Sequence, residues 1–323
     1  LGGFVMMAMR YVMLICYNAL PAAFSLDMWS HQYDQLTNQI QCTIFNQEKN
    51  PFRTNSCEAH LFGLEPNFGC CTANFGQGWP KFALSAFMRT QEGIVSVIGI
   101  PSELVTKLNG VEVSCKLQTQ YPFRDRLKYI IEVKEPISFP FSIRIPAFAK
   151  GTKVNEEPVM QGSFYTINRR WEGKSEIIVE YNADVTLEPR PNGLCCLKRG
   201  NLLYAIPIDA RWEKLEYVRD GVERKFPYCD YQLYPQSDWE YGFTDDITKI
   251  KIEEIQMSDF PFSPKGAPIA LNVSVAPIQW KSEGGLCEEV PVSNKPIGEV
   301  KSIRFIPYGC TDLRITEIPV IEY

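Results

Sequence analysis

The sequence contains no run of lysine or arginine, and that absence narrows its function first. Its 323 residues carry 33 basic and 38 acidic side chains, a net charge of −5. Nucleic-acid binding needs a basic face to meet the phosphates, and a polybasic membrane anchor needs clustered cations, so neither reading fits. Nor is there an uninterrupted apolar stretch of about 20 residues, the length that spans a bilayer. The most apolar stretch, from Phe4 to Cys16, is broken by Arg10. It lacks the basic start and small-residue cleavage site of a signal peptide. It reads instead as a core helix of a larger helical domain, which places the start of the protein upstream of Leu1. Internal repeats and low-complexity segments are also missing.

Apolar residues make up 45% of the chain, enough for a sizeable core, and the length suits two ordinary domains or three small ones. Aromatics reach 12%, which suits a sugar-binding protein and equally suits β cores. The eleven cysteines are odd in number and are not spaced as a disulfide framework. Most are therefore expected as buried free thiols. One glycosylation sequon, Asn272-Val273-Ser274, does not by itself assign a compartment.

The hydrophobic period divides the chain. Residues 1–90 read as helix and loop. Trp79, Phe82, Ala83, Ala86 and Phe87 recur at helical spacing behind Pro80, and the polar stretch from His31 to Asn55 reads as an ordered active-site loop. From residue 91 the period becomes two. Val111, Val113, Cys115, Leu117 and Thr119 alternate with polar residues. So do Leu127, Tyr129, Ile131 and Val133, then Phe141, Ile143 and Ile145, then Ile177, Val179 and Tyr181. Asn109-Gly110 and Asp220-Gly221 are hairpin turns, because both positions must tolerate positive φ. Many short strands at close spacing imply sandwich architecture rather than βαβ units. The expected division is a helical part over 1–90, a β-sandwich domain over 91–191 and a second over 192–323, with a loop-rich stretch at 228–266.

One motif suggests chemistry. In Gly63-Leu64-Glu65-Pro66-Asn67-Phe68-Gly69-Cys70-Cys71-Thr72-Ala73-Asn74, two adjacent cysteines stand at the entrance of a helix, where the helix dipole favours thiolate. A thiolate is both nucleophile and zinc ligand. Either one sulfur binds metal while its neighbour faces a substrate, or both reach one ion, or both are core thiols. Cys195-Cys196 is a second vicinal pair, but in a strand context that buries alternate residues.

At these residues the sequence resembles glycoside hydrolase family 127, the β-L-arabinofuranosidase-like enzymes. The blocks are Cys16-Tyr17-Asn18-Ala19-Leu20-Pro21-Ala22, Trp29-Ser30-His31-Gln32-Tyr33, Asn38-Gln39, the Gly63 to Asn74 stretch and Gly78-Trp79-Pro80-Lys81-Phe82. Further blocks are Phe141 to Ala147, Trp239-Glu240-Tyr241-Gly242, Pro307 to Thr311 and Leu313 to Glu317. The resemblance implies a mainly β chain with a short N-terminal helical part, the remnant of an (α/α)6 barrel followed by two antiparallel β-sandwich domains.

The resemblance also implies a retaining hydrolase of arabinofuranosides or related plant glycans. Cys70 would be the nucleophile that forms a glycosyl thioether, and Cys71, with Cys70, a zinc ligand. His31 and Tyr33 would contact substrate. The family's other zinc ligands, a Glu-x-Cys motif, and its acid/base glutamate lie upstream of the block at Tyr17-Asn18. The chain is therefore expected to be a C-terminal fragment, inactive alone and unable to retain Zn2+. Glu58 and Glu65 are the acids that could approach the pair across a loop, against the general tendency of isolated loop acids to be solvated. Trp29, Trp79 and Trp239 could stack on sugar or pack in the core. The rival reading is a non-catalytic carbohydrate-binding or structural β-sandwich protein.

Overall fold

Alternation of apolar and polar side chains becomes, in three dimensions, two sheets facing each other. The computed structural model describes residues 15–26, 30–52, 55–63, 80–244 and 247–322. The chain divides into two units, one within residues 73–184 and the other joining residues 10–72 to 185–323.

In the first unit a four-stranded sheet runs Ser163–Trp171, Ile137–Ile145, Ile94–Ser96, Phe87–Arg89. A six-stranded sheet runs Ser102–Leu108, Val111–Thr119, Arg126–Val133, Lys174–Glu180, Lys153–Val154, Glu157–Pro158. Val113, Cys115, Leu117, Leu127, Tyr129, Ile131, Phe141, Ile143 and Val179 are all buried, as their spacing requires. The inner faces meet where the Tyr129 and Phe141 rings lie 5.5 Å apart, and within the four-stranded sheet Trp171 stacks on Phe139 at 5.4 Å. Each such side chain contributes roughly 2 kcal/mol by leaving water. The polar atoms carried inward are satisfied: Trp171 Nε1 donates to the Phe139 carbonyl at 2.9 Å, and the Tyr129 hydroxyl meets Ser96 Oγ at 2.9 Å. Asn109 and Gly110 take φ of 47° and 85°, closing the two-residue turn between Leu108 and Val111.

The second unit is built on a branched sheet, eleven-stranded among the described residues. Its main path runs Asn38–Gln39, Leu313–Ile315, Leu202–Ile208, Lys301–Pro307, Ile269–Gln279, Tyr241–Phe243. The Asp220-Gly221 turn forms as expected, with φ of 52° and 77° between the paired Arg219 and Val222. The sequon residue Asn272 sits mid-strand, paired with Lys251 on one side and Arg304 on the other.

The mainly β class, with a short helical part at Ile15–Ala22, is as the sequence implies. Three local readings change. The helix holding Lys81 ends at Leu84, and Phe87 opens a strand instead of extending the helical stripe. The Ala86 carbonyl accepts from the Val97 and Ile98 amides, so sheet pairing outcompetes the helical period. Phe82 is half-buried and Ala83 exposed, so the apolar face forms only in part. The stretch 228–266 contains three strands, Asp230–Pro235, Tyr241–Phe243 and Lys251–Glu254, which its prolines and aromatics concealed. The described part of the stretch 31–55 is not loop throughout, since it includes the paired strand Asn38–Gln39.

Candidate active-site segment

The segment that leads to Cys70 is a nearly strandless chain held on the second unit's sheet by amide side chains. Asn18 donates to the Asn201 carbonyl and accepts from Leu203 N–H, both at 2.8 Å. Asn38 donates to Glu317 O at 2.8 Å and accepts from the amides of Thr316 and Glu317 at 3.0 and 2.9 Å. Arg314, fully buried, donates to the carbonyls of Leu36, Thr311 and Asp312 and to Gln35 Oε1, all at 3.2 Å. Its guanidinium lies 4.1 Å from the Tyr308 ring centre, and the Tyr308 hydroxyl donates to Gln35 Oε1 at 3.1 Å. These residues, all from blocks that carry the family resemblance or adjoin them, spend their polar groups on the backbone. A backbone outside regular structure needs such partners when it is buried.

Held in this way, the segment forms a clamp at His31. His31 N–H donates to Gly63 O at 2.9 Å, and Gly63 N–H returns to His31 O at 3.0 Å. One residue earlier, Phe62 exchanges both backbone hydrogen bonds with Tyr231 on the strand Asp230–Pro235. Glycine at position 63 makes room for the Asp230 carboxylate: a Cβ there would lie 2.0 Å from Asp230 Oδ1, so the carboxylate would have to shift. The Asp230 carboxylate is buried and accepts from the Tyr217 hydroxyl at 2.7 Å. Burial raises its pKa above the ordinary range, and the nearby Glu58 adds to the rise. Cys70 lies seven positions beyond Gly63, a reach of at most about 25 Å.

His31 is half-buried, its ring 6.0 Å from that of Phe24, and burial lowers its pKa. Tyr33 is 38% exposed. The clamp thus holds the His31 backbone, with Tyr33 two residues on, against Gly63. Cys70, Cys71, Glu65, Trp29 and Trp79 lie outside the described residues. Trp239 is a core residue, only 6% exposed and 5.9 Å from the Trp280 ring. His60 is fully buried, stacked on Phe45 at 4.0 Å, and its Nε2 accepts from Thr43 N–H at 3.0 Å. The nine described cysteines are free thiols, five of them buried. Cys196 is pushed up to about 11 by burial, and burial raises the half-buried Cys195 as well, which disfavours the thiolate at both.

Beside the clamp opens a cleft of about 770 Å3 that the sequence did not reveal. Trp212, Tyr231, Phe260, Asp209, Asp312 and Lys265 line it. The Trp212 ring is set by Phe62 at 4.9 Å and Tyr231 at 5.9 Å. These residues are scattered over a hundred positions and share no spacing. The one available signal was that Asp312 directly precedes the Leu313-Arg314 block. Among the described residues no group of three or more His, Cys, Asp or Glu side chains is placed to hold a metal. Nor is any helix there long and apolar enough to cross a membrane.

The motif-based resemblance is borne out by comparison with known proteins. Residues 93–183 match the family model for the β-L-arabinofuranosidase GH127 middle domain. Among solved structures, a glycoside hydrolase superposes with a TM-score of 0.66 at 18% identity, over 97% of this chain and 48% of the other. Ara127N-Se, a GH127 β-L-arabinofuranosidase from Geobacillus stearothermophilus T6, does so with a TM-score of 0.60 at 16% identity, over 94% and 45%. A GH127 β-arabinofuranosidase, BT3674, gives 0.54 at 12%, over 94% and 44%. The chain thus spans a little under half the length of these solved proteins. A search of curated proteins finds no match.

Proposed function

We propose that this chain carries the cysteine-bearing part of a retaining glycoside hydrolase that cleaves arabinofuranosides or related plant glycans. The observation that carries the reading is the joint match: a GH127 middle domain at 93–183, and a fold shared with GH127 enzymes over nearly the whole chain. The vicinal pair Cys70-Cys71 stands seven residues beyond a clamp that the fold takes care to build.

In this reading the Cys70 thiolate attacks the anomeric carbon and the glycosidic oxygen leaves, giving a thioether that water then hydrolyses. Two inversions at that carbon retain its configuration. The step needs a proton donor for the leaving oxygen. His31 and Tyr33 contact the sugar hydroxyls. Zinc, as a proposed cofactor, would keep a thiol ionised near neutral pH, with Cys70 and Cys71 as two of its ligands. Among the described residues no group of three or more His, Cys, Asp or Glu side chains is placed to hold a metal, and no step is assigned to the metal.

The test is turnover of an aryl β-L-arabinofuranoside by the protein expressed from the complete reading frame. Cys70→Ala should lower kcat at least a thousandfold while the thermal transition stays in place. Retained turnover would remove the mechanism and leave the rival reading, a non-catalytic carbohydrate-binding or structural β-sandwich protein.

A further inference from the structure

The cleft beside the clamp brings exposed aromatic rings together with charged side chains. Trp212 is 36% and Phe260 58% exposed, although both are large apolar rings. Asp312 is half-buried, and its carboxylate has no hydrogen-bond partner among the described residues. Gln39 and Arg314 take only its backbone carbonyl, at 2.8 and 3.2 Å. Lys265 and Asp209 complete the lining without forming an ion pair among the described residues. The Asp312 carboxylate lines an open cleft rather than a sealed core, so its acceptor sites are open to a ligand that brings donors. Burial pushes the Asp312 carboxyl up to about 6 against the pull of the Arg314 guanidinium, so near neutral pH it is ionised and can only accept hydrogen bonds.

We propose that this cleft is a glycan subsite, in which Asp312 accepts hydrogen bonds from sugar hydroxyls while Trp212 and Phe260 cover the apolar faces of the rings. The ligand chemistry follows from the lining. Sugars offer several hydroxyl donors beside a C–H face, which a cleft lined by carboxylates and exposed aromatic rings fits. A purely apolar ligand would leave Asp312 unmatched. The cleft volume lies within the range of ligand pockets and has room for more than one sugar ring. All its walls belong to the second unit, to which the clamp also belongs. As the subsite for the non-reacting part of a hydrolysed glycan, the assignment rests on the reading above.

The test uses the complete gene product, titrated calorimetrically with a short arabino-oligosaccharide and assayed with an aryl β-L-arabinofuranoside. Trp212→Ala and Asp312→Asn should each weaken oligosaccharide binding about tenfold, with monosaccharide turnover unchanged. Trp212→Phe, which keeps an aromatic face, should retain most of the binding and guards against a folding defect. Oligosaccharide binding that both variants leave intact would overturn the subsite, as would a wild-type protein that binds no oligosaccharide. Equal loss of oligosaccharide binding and monosaccharide turnover would overturn it too. If the wild type binds through Trp212 yet hydrolyses nothing, the subsite stands and the hydrolase reading falls.

Discussion

His60 should make this protein acid-labile in a defined window. Its ring is fully buried between Phe45 at 4.0 Å and Phe52 at 5.7 Å, and Nε2 must stay unprotonated to accept from Thr43 N–H. A proton on Nε2 would set two donors against each other in a dry site. Burial accordingly lowers its pKa from 6.5 to about 3. The unfolded chain takes up a proton below pH 6.5 that the native chain refuses, so stability rises with pH between about 3 and 6.5 and falls as the solution is acidified through that window. The shift is 3.5 units, each worth about 1.4 kcal/mol, so the total is close to 5 kcal/mol. His60→Gln keeps an acceptor for Thr43 and removes the titration. Urea unfolding of both proteins from pH 7.5 to 4.5 measures the effect. The wild type should lose about 1.4 kcal/mol per pH unit relative to the variant below pH 6. Taking the difference cancels every other titrating group, including Asp312, whose effect runs the other way. Parallel pH profiles would refute the argument. The consequence reaches the site, because Gln32 donates to the His60 carbonyl and Gly63 follows three residues later.

Other perturbations should act on the same scaffold. Gly63→Ala drives a methyl into the Asp230 carboxylate; it should lower stability by about 1–3 kcal/mol and speed amide exchange at residues 31 and 63, read by hydrogen exchange. Arg314→Lys strips donors from buried carbonyls that a single ammonium cannot reach together; the expected cost is about 3 kcal/mol, seen as a lower Tm. Asp312→Asn should do the opposite. Its pKa is raised from 3.8 to about 6, so the native carboxylate loses stability as pH rises through that interval. The neutral variant should therefore be more stable at pH 7, by about 2–3 kcal/mol in chemical unfolding. An unchanged midpoint at pH 7 would contradict this.

Some of this was legible in the sequence and some was not, for physical reasons. Strand faces such as Val113, Cys115 and Leu117 were readable because a half-buried sheet imposes a period of two. Asn109-Gly110 and Asp220-Gly221 were readable because few residue pairs adopt positive φ together. The end of the helix at Leu84 was hidden, since Ala86 and Phe87 suit either period and a long-range pairing decides. The clamp was hidden for a related reason. Its hydrogen bonds join residue 31 to 63 and 62 to 231 through backbone atoms, and backbone pairing leaves little trace in side-chain identity. Gly63 is the exception, although its reason, the carboxylate of Asp230, lies 167 positions away. Cys70, Cys71, His31 and Tyr33 were singled out by motif. Asp312, Trp212 and Phe260 belong to no motif and were found only through the cleft they share.

The central claim is a covalent bond between Cys70 sulfur and an anomeric carbon. Mass spectrometry of the complete gene product, acid-quenched during turnover of an activated β-L-arabinofuranoside and then digested, tests it most directly. The account predicts one pentosyl adduct on the peptide containing Cys70, absent from Cys70→Ala. An active enzyme whose sugar adduct sits on another residue, or whose Cys70 variant still turns over at the wild-type rate, would contradict it.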